Sequence, residues 1–347
     1  MMNIWSSTFL LLCGVALLSP EREQPAGPEQ PAFGPGGADY THAAVTFSDH
    51  ARRADGFWLF EPASPVPQQA PVVVFHHGYG AINPMIYGAW IRHLVRQGNI
   101  VIYPRYQKNL FSPGSKHFVP NAVKGIQSAL RLLSEEAGHV RPDTNALFMA
   151  GHSYGGAITA NIAARYTELG LPRPQGVLLC APGTGPLKGG LLESYHTIDP
   201  QTRLGIIVSV NDYVVGEELG RMVYQTATQT PFRFLMRQFP DEHGAPALTA
   251  GHNECYALDA DLDGGVNNLS LKRAERVAQE NASDYFGYWK MLDAMMACSL
   301  RGEHCELAKG CGAEAAYMGQ WSDGHPVQPM EVWVPEDTVA WQGALNP

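Results

Sequence analysis

No basic run occurs anywhere in this chain. Its 24 Lys and Arg are scattered and outnumbered by 33 Asp and Glu, for a formal net charge of −9. That excludes the electrostatic footprint by which proteins hold nucleic acid or anionic lipid. Charge of either sign is sparse, at 16% of residues against 45% hydrophobic, so the composition is that of a globular protein able to bury a large core. A stable membrane span is not expected either. The apolar stretch Thr8 to Leu18 is too short to cross a bilayer and has the length of a signal-peptide core. Cysteine is scarce, 6 in all, and no histidine pair accompanies the cluster Cys298, Cys305 and Cys311, which argues against zinc.

What is present divides into three stretches. Residues 1–19 read as a signal peptide, although Lys and Arg are missing before the apolar stretch and no clean small-residue cleavage site follows. Leu12 before Cys13 excludes a lipoprotein signal, which wants a small residue there. Residues 20–38, dense in Pro, Gly, Glu and Gln, read as a flexible linker. Residues 39–347 form the main domain, with a polar, glycine-containing extension from about 301. Export to the periplasm or the cell exterior would let two of the three clustered cysteines form a local disulfide. Once Cys13 is discounted the count is odd, so at least one thiol stays free, most simply Cys180 at the end of an apolar strand.

From Tyr40 onward strand-like and helix-like segments alternate. Strands are expected at His42–Phe47, Gly56–Phe60, Ala70–Phe75, Ile100–Tyr103, Asn145–Ala150, Gly176–Cys180, Leu204–Val210 and Phe232–Gln238. Helices are expected at Met85–Gln97, Asn121–Ala137, Gly156–Leu169 and Glu217–Ala227. This order implies an α/β fold, a mostly parallel sheet with helices on both faces, whose ligands bind in the loops after the strands' carboxyl ends.

One such loop carries Gly151-His152-Ser153-Tyr154-Gly155-Gly156. With 36 glycines in the chain the bare G-x-S-x-G pattern is common enough by chance that its flanks must decide. A short apolar strand precedes it and a helix-forming stretch follows, as a turn exposing a nucleophilic serine demands; the plain alternative is a glycine-rich βα turn with an incidental serine. On these residues the chain resembles the α/β-hydrolases over roughly Tyr40 to Leu300, and among them the serine esterases without a lid, of dienelactone hydrolase, cutinase and polyester hydrolase type.

That resemblance implies a Ser, Asp/Glu, His triad in chain order. It makes Ser153 the nucleophile and Asp212, after the strand ending at Val210, the acid; a helix N-cap role is the plain alternative for Asp212, and Asp199 and Glu193 are weaker candidates. Two histidines follow the last strand. His243 lies closer to its end, whereas His252 sits in a Gly-His-polar-polar-Cys setting similar to polyester hydrolases and is the base preferred here. The family's oxyanion donors fall on the backbone N–H groups of Tyr154 and, by the His-Gly-x pattern, Tyr79, whose ring could also clamp an acyl group. The interval from Ala181 to Arg203 is too short for a large cap domain.

Asp259, Asp261 and Asp263, followed by Gly264, match the start of a calcium loop, but Ser270 stands where a bidentate Glu would complete the cage. A polar acidic turn is the reading adopted, with weak structural calcium as the lesser one; no cofactor or catalytic metal is expected. The whole pattern implies an exported serine hydrolase cleaving small-molecule or polymeric carboxylic esters through an acyl-enzyme on Ser153. A peptidase or acyltransferase of the same fold is the alternative, and a non-catalytic binding protein a more distant one. Nothing in the sequence specifies the oligomeric state, and His304 and His325 in the extension are taken as structural.

Overall fold

The computed structural model describes residues 24–111, 114–187 and 190–335. The expected signal peptide and the first residues of the expected linker lie outside this range. Nine strands form one sheet in the order β1-β2-β4-β3-β5-β6-β7-β8-β9. In chain order these are β1 Ala44–Asp49, β2 Phe57–Ala63, β3 Gln69–His76, β4 Ile100–Pro104, β5 Arg141–His152, β6 Pro174–Cys180, β7 Arg203–Ser209, β8 Arg233–Gln238 and β9 Glu331–Trp333. Strands β4, β3 and β5 to β8 run parallel; β2 is antiparallel to β1 and β4, and β9 to β8.

Central strands carry unbroken apolar runs, such as Val72–Phe75 and Ala146–Ala150, because both faces are covered there. Side-chain alternation splits each strand between two cores. Val73 and Phe75 pack with Trp90 and Ile91 of α1 (Gly88–Arg96) and Met291 and Met295 of α6 (Trp289–Arg301). Val72 and Val74 face the opposite core, with Ile126 of α2 (Phe118–Glu135), Ile158 of α3 (Tyr154–Arg165) and Val223 of α4 (Glu218–Thr226). Among the described residues of 181–202 there is no helix.

Three local expectations differ from what is observed. β5 begins at Arg141, earlier than expected, because the Pro142-Asp143-Thr144 segment stays in the ladder beside β3 and its extra residues are absorbed as an irregularity opposite Pro71 and Val72. The expected flexible linker is pinned where it is described: Ala26 N–H donates to Ser322 Oγ (2.9 Å), Ala245 N–H to Pro25 O (2.9 Å) and Gly36 N–H to Asp293 Oδ2 (2.8 Å). Its proline-rich composition suits an extended strap with few donors to satisfy. The extension is not merely a polar surface tail. Met318, Trp321, Val327 and Met330 are buried, and β9 covers the edge of β8.

Lys290 of α6 anchors that extension, its buried ammonium donating to the carbonyls of Glu314 (2.8 Å), Ala315 (3.3 Å) and Tyr317 (2.7 Å). Burial draws its pKa down to about 7, while three carbonyl acceptors match the three donors of the charged form. Cys298 and Cys305 form a disulfide, and Cys180, Cys255 and Cys311 are free. No helix among the described residues is long and apolar enough to cross a membrane.

Candidate active site

Ser153 joins β5 to α3 at φ 56° and ψ −122°, a left-handed φ that costs a non-glycine residue of order 1–3 kcal/mol. The surrounding backbone imposes it. Ser153 N–H donates to Cys180 O (3.0 Å), and its carbonyl accepts from Gly156 (2.9 Å) and Gly183 (3.1 Å). The flanking glycines are required by close approach rather than by their dihedrals. A Cβ on Gly155 would lie 2.1 Å from His76 O, and one on Gly151 would lie 2.5 Å from Gly155 O.

His252 reaches the serine from the far loop. Ser153 Oγ–H donates to His252 Nε2 (2.9 Å), and His252 Nδ1–H donates to Asp212 Oδ2 (2.7 Å). Asp212 follows β7, and its other oxygen accepts from the N–H groups of Val214 (2.9 Å) and Val215 (3.0 Å). Burial works to raise the pKa of this carboxyl, but the His252 bond and the two backbone donors outweigh it and hold the group below its usual value. Asp212 is therefore an anion over the working pH range, able to fix the His252 tautomer and to stabilise an imidazolium. The plain alternative for Asp212, a helix N-cap, is not what is observed: Glu217 stands at the N-cap of α4, and Asp212 closes a turn of its own with the oxygen that does not face His252.

His243 is carried elsewhere. It pairs with Asp323 (2.8 Å) and stacks on His325 at 4.1 Å between ring centres. Asp199 accepts from the Tyr166 hydroxyl at 3.1 Å and is not beside His252. Tyr154 opens α3, whose positive dipole end thus begins next to Ser153. Tyr79 lines the same cleft, and no described residue accepts its backbone N–H. Its hydroxyl donates to Leu110 O (2.6 Å), so its ring is held at the wall. The cleft itself has a volume of about 320 Å³ and is bounded by the Gly183–Leu187 loop, Val214, Val215 and Tyr256.

A group of buried side chains behind the serine escaped sequence reasoning. Gly78 N–H donates to Tyr87 Oη (2.9 Å), the Tyr87 hydroxyl donates to His152 Nδ1 (2.8 Å), and His152 Nε2–H donates to His252 O (2.8 Å). These bonds tie the loop bearing Tyr79 to the loop bearing His252, through the residue just before Ser153. Burial drives the His152 pKa down to about 3, so it stays neutral and keeps the single tautomer this chain of bonds needs. His76 braces the elbow from below, donating to Thr159 Oγ1 (2.8 Å), which in turn donates to Gly155 O (2.8 Å). The only signal in the sequence was the histidine inside the G-x-S-x-G motif itself.

The acidic loop is occupied by its own chain. Asp259 and Asp261 pair with Arg92, and Asp263 Oδ1 accepts from Asn83 Nδ2 (2.6 Å). Among the described residues no group of three or more His, Cys, Asp or Glu is arranged to hold a metal ion.

Sheet order, crossovers and elbow together are those of the α/β-hydrolase fold. The family described as alpha/beta hydrolase fold matches residues 72–215, which runs from β3 through the elbow to the turn bearing Asp212. A segment of 126 residues is 32% identical to "Esterase LipI" of Mycobacterium tuberculosis (strain ATCC 25618 / H37Rv), covering 35% of this chain. The matched segment spans 38% of that relative's length.

Proposed function

We propose that this protein is an exported serine hydrolase that cleaves carboxylic esters through an acyl-enzyme on Ser153. The observation that carries the reading is the continuous path from Ser153 Oγ through the His252 ring to the buried Asp212 carboxylate, at 2.9 and 2.7 Å. His252 takes the serine proton as Oγ attacks the ester carbonyl, and returns it to the departing alcohol oxygen. The N–H groups of Tyr79 and Tyr154 receive the oxyanion. Water, deprotonated by His252, then attacks the acyl-enzyme and releases the acid. An open cleft without a cap suits exposed or bulky esters, and the esterase name of the partial relative favours esters over amides. The disulfide Cys298–Cys305 is in keeping with export.

The reading is tested with a short p-nitrophenyl ester and a fluorophosphonate probe. Turnover by the wild type and covalent labelling confined to Ser153 are expected, with both lost in Ser153→Ala. Full turnover by Ser153→Ala would overturn the reading.

A further inference from the structure

The Ser153 cleft is asymmetric, and the asymmetry bears on which ester it takes. One arm is apolar. Leu187, Val214 and Val215 line it, and it continues into a second hollow of about 330 Å³ walled by Leu191, Leu219 and Met222, with Glu218 also on its wall. The other arm leaves past His252 and Asn253 along α5 (Leu269–Val277). Among the described residues, Arg273 of α5 is the sole Lys, Arg, Asp or Glu on the wall of the Ser153 cleft. Arg273 and Arg276 then share the adjoining cavity of about 330 Å³, also lined by His252. Three residues apart on one helix, they lie on the same face.

Neither guanidinium has an ion-pair partner among the described residues. In a chain with net charge −9, two unpaired cations side by side along a cleft are a local reversal of sign. The cavity's one carboxylate, Glu254, is turned to its own loop, accepting from Gly251 N–H (2.7 Å) and the Thr249 hydroxyl. The arm's place relative to His252 sets which half of the ester it receives. His252 must protonate the departing oxygen, so the arm that His252 and Asn253 line takes the alcohol part.

We infer that the preferred ester carries a carboxylate on its alcohol part, received by Arg273 with Arg276 beyond it, and an apolar acyl chain in the other arm. This rests on the ester-hydrolase reading. The chemistry is unaltered: the acyl–oxygen bond breaks, Ser153 Oγ gains the acyl group, and the anionic alcohol leaves with the proton from His252.

The test compares the butyryl ester of 4-hydroxybenzoate with that of 4-hydroxybenzamide, its neutral counterpart. The quantity read is the ratio of their kcat/KM values, compared between wild type and variants so that intrinsic leaving-group reactivity cancels. Arg273→Gln is expected to lower the ratio about fivefold, the size of one partly exposed ion pair. Arg276→Gln is expected to lower it less, and Arg273→Lys to keep most of it. Rising ionic strength is expected to lower the wild-type ratio and to leave that of Arg273→Gln nearly flat. Turnover of both esters with the same ratio in wild type and Arg273→Gln would overturn this inference alone. Absence of turnover of either ester, with no labelling of Ser153, would overturn the ester reading and this inference with it.

Discussion

Two histidines follow β8, each paired with an aspartate, and only the His252 pair reaches Ser153. His252 meets Asp212 at 2.7 Å and His243 meets Asp323 at 2.8 Å, so bond length does not separate them. Burial does: the side chains of His252 and Asp212 are 9% and 0% exposed, those of His243 and Asp323 33% and 44%. So does the third partner, Ser153 for the first pair and the His325 ring for the second. After β8 the chain turns through a short hairpin closed by Asp241 and Leu248, whose tip places Gly244 against Pro25 and Trp321. The returning limb is caught by Asn211, whose N–H donates to Ala250 O (3.0 Å), and His252 follows two residues later. Proximity to the strand in sequence is therefore no guide to which histidine meets Ser153. In the desolvated pair the carboxylate acts through a low dielectric on the ring, as stabilising an imidazolium requires.

The strongest way to break this comparison is to alter the buried pair. His252→Ala is expected to lower kcat on a p-nitrophenyl ester by about 10⁵-fold or more, and Asp212→Asn by about 10⁴-fold, with KM little changed. A His252→Ala enzyme within tenfold of wild type would move the base elsewhere and remove the ground for distinguishing the two pairs. Asp212→Asn also keeps the shape needed to accept from Val214 and Val215, so its loss would report the charge and tautomer at His252 rather than the turn.

A smaller effect is expected at His152, which holds His252 by its backbone rather than its ring. His152→Phe removes the donor to His252 O and strands the buried Tyr87 hydroxyl, at about 1–3 kcal/mol of stability. It is expected to lower kcat about 10–100-fold, since sub-ångström misplacement of a base is costly. Stability loss with unchanged kcat in the folded fraction would make His152 a packing residue only.

Acid stability sharpens the same point, because buried neutral histidines differ from exposed ones. Burial holds His76 near 3, His77 near 4 and His152 near 3. Each takes up its proton in the unfolded chain near 6.5 but resists doing so when folded. The unfolded state therefore binds more protons between about pH 6.5 and pH 4, and stability falls as pH falls through that window, by up to about 1.4 kcal/mol per pH unit for each group. Urea unfolding from pH 7.5 to 4.5 should show this slope, reduced by one proton's worth in His152→Phe. A flat profile would mean that these rings titrate alike in both states.

How much of this was legible in the sequence depended on how local the cause was. Strand, tight turn and helix around Ser153 are neighbours in the chain, and Asp212 follows directly from counting apolar strands. The Tyr87–His152 bond joins residues 65 apart, and no pattern of spacing announces it. His252 was one of two candidates because the length of a loop says nothing of where it doubles back. The extension's role stayed open because Met318, Trp321, Val327 and Met330 follow no helical or strand period. Their burial is set by Lys290 and by the edge of β8, both distant in sequence.

The least perturbing substitution is the one that tests the comparison from its other side. His243→Ala removes a ring that touches Asp323 and His325 on the surface and reaches neither Ser153 nor Asp212. An exposed ion pair gains little over its hydrated partners, and its loss opens no cavity. The variant is thus expected to keep kcat within about twofold and to shift Tm by less than about 2 °C. The hairpin that carries His243 should survive, because Asp241 also accepts from the Trp321 indole (3.0 Å) and from Gln328 N–H (2.8 Å). If His243→Ala instead lost activity a hundredfold while His252→Ala did not, proximity to the strand would have been the better guide. The buried Asp212–His252 pair would then be a structural bond that happens to lie beside a serine.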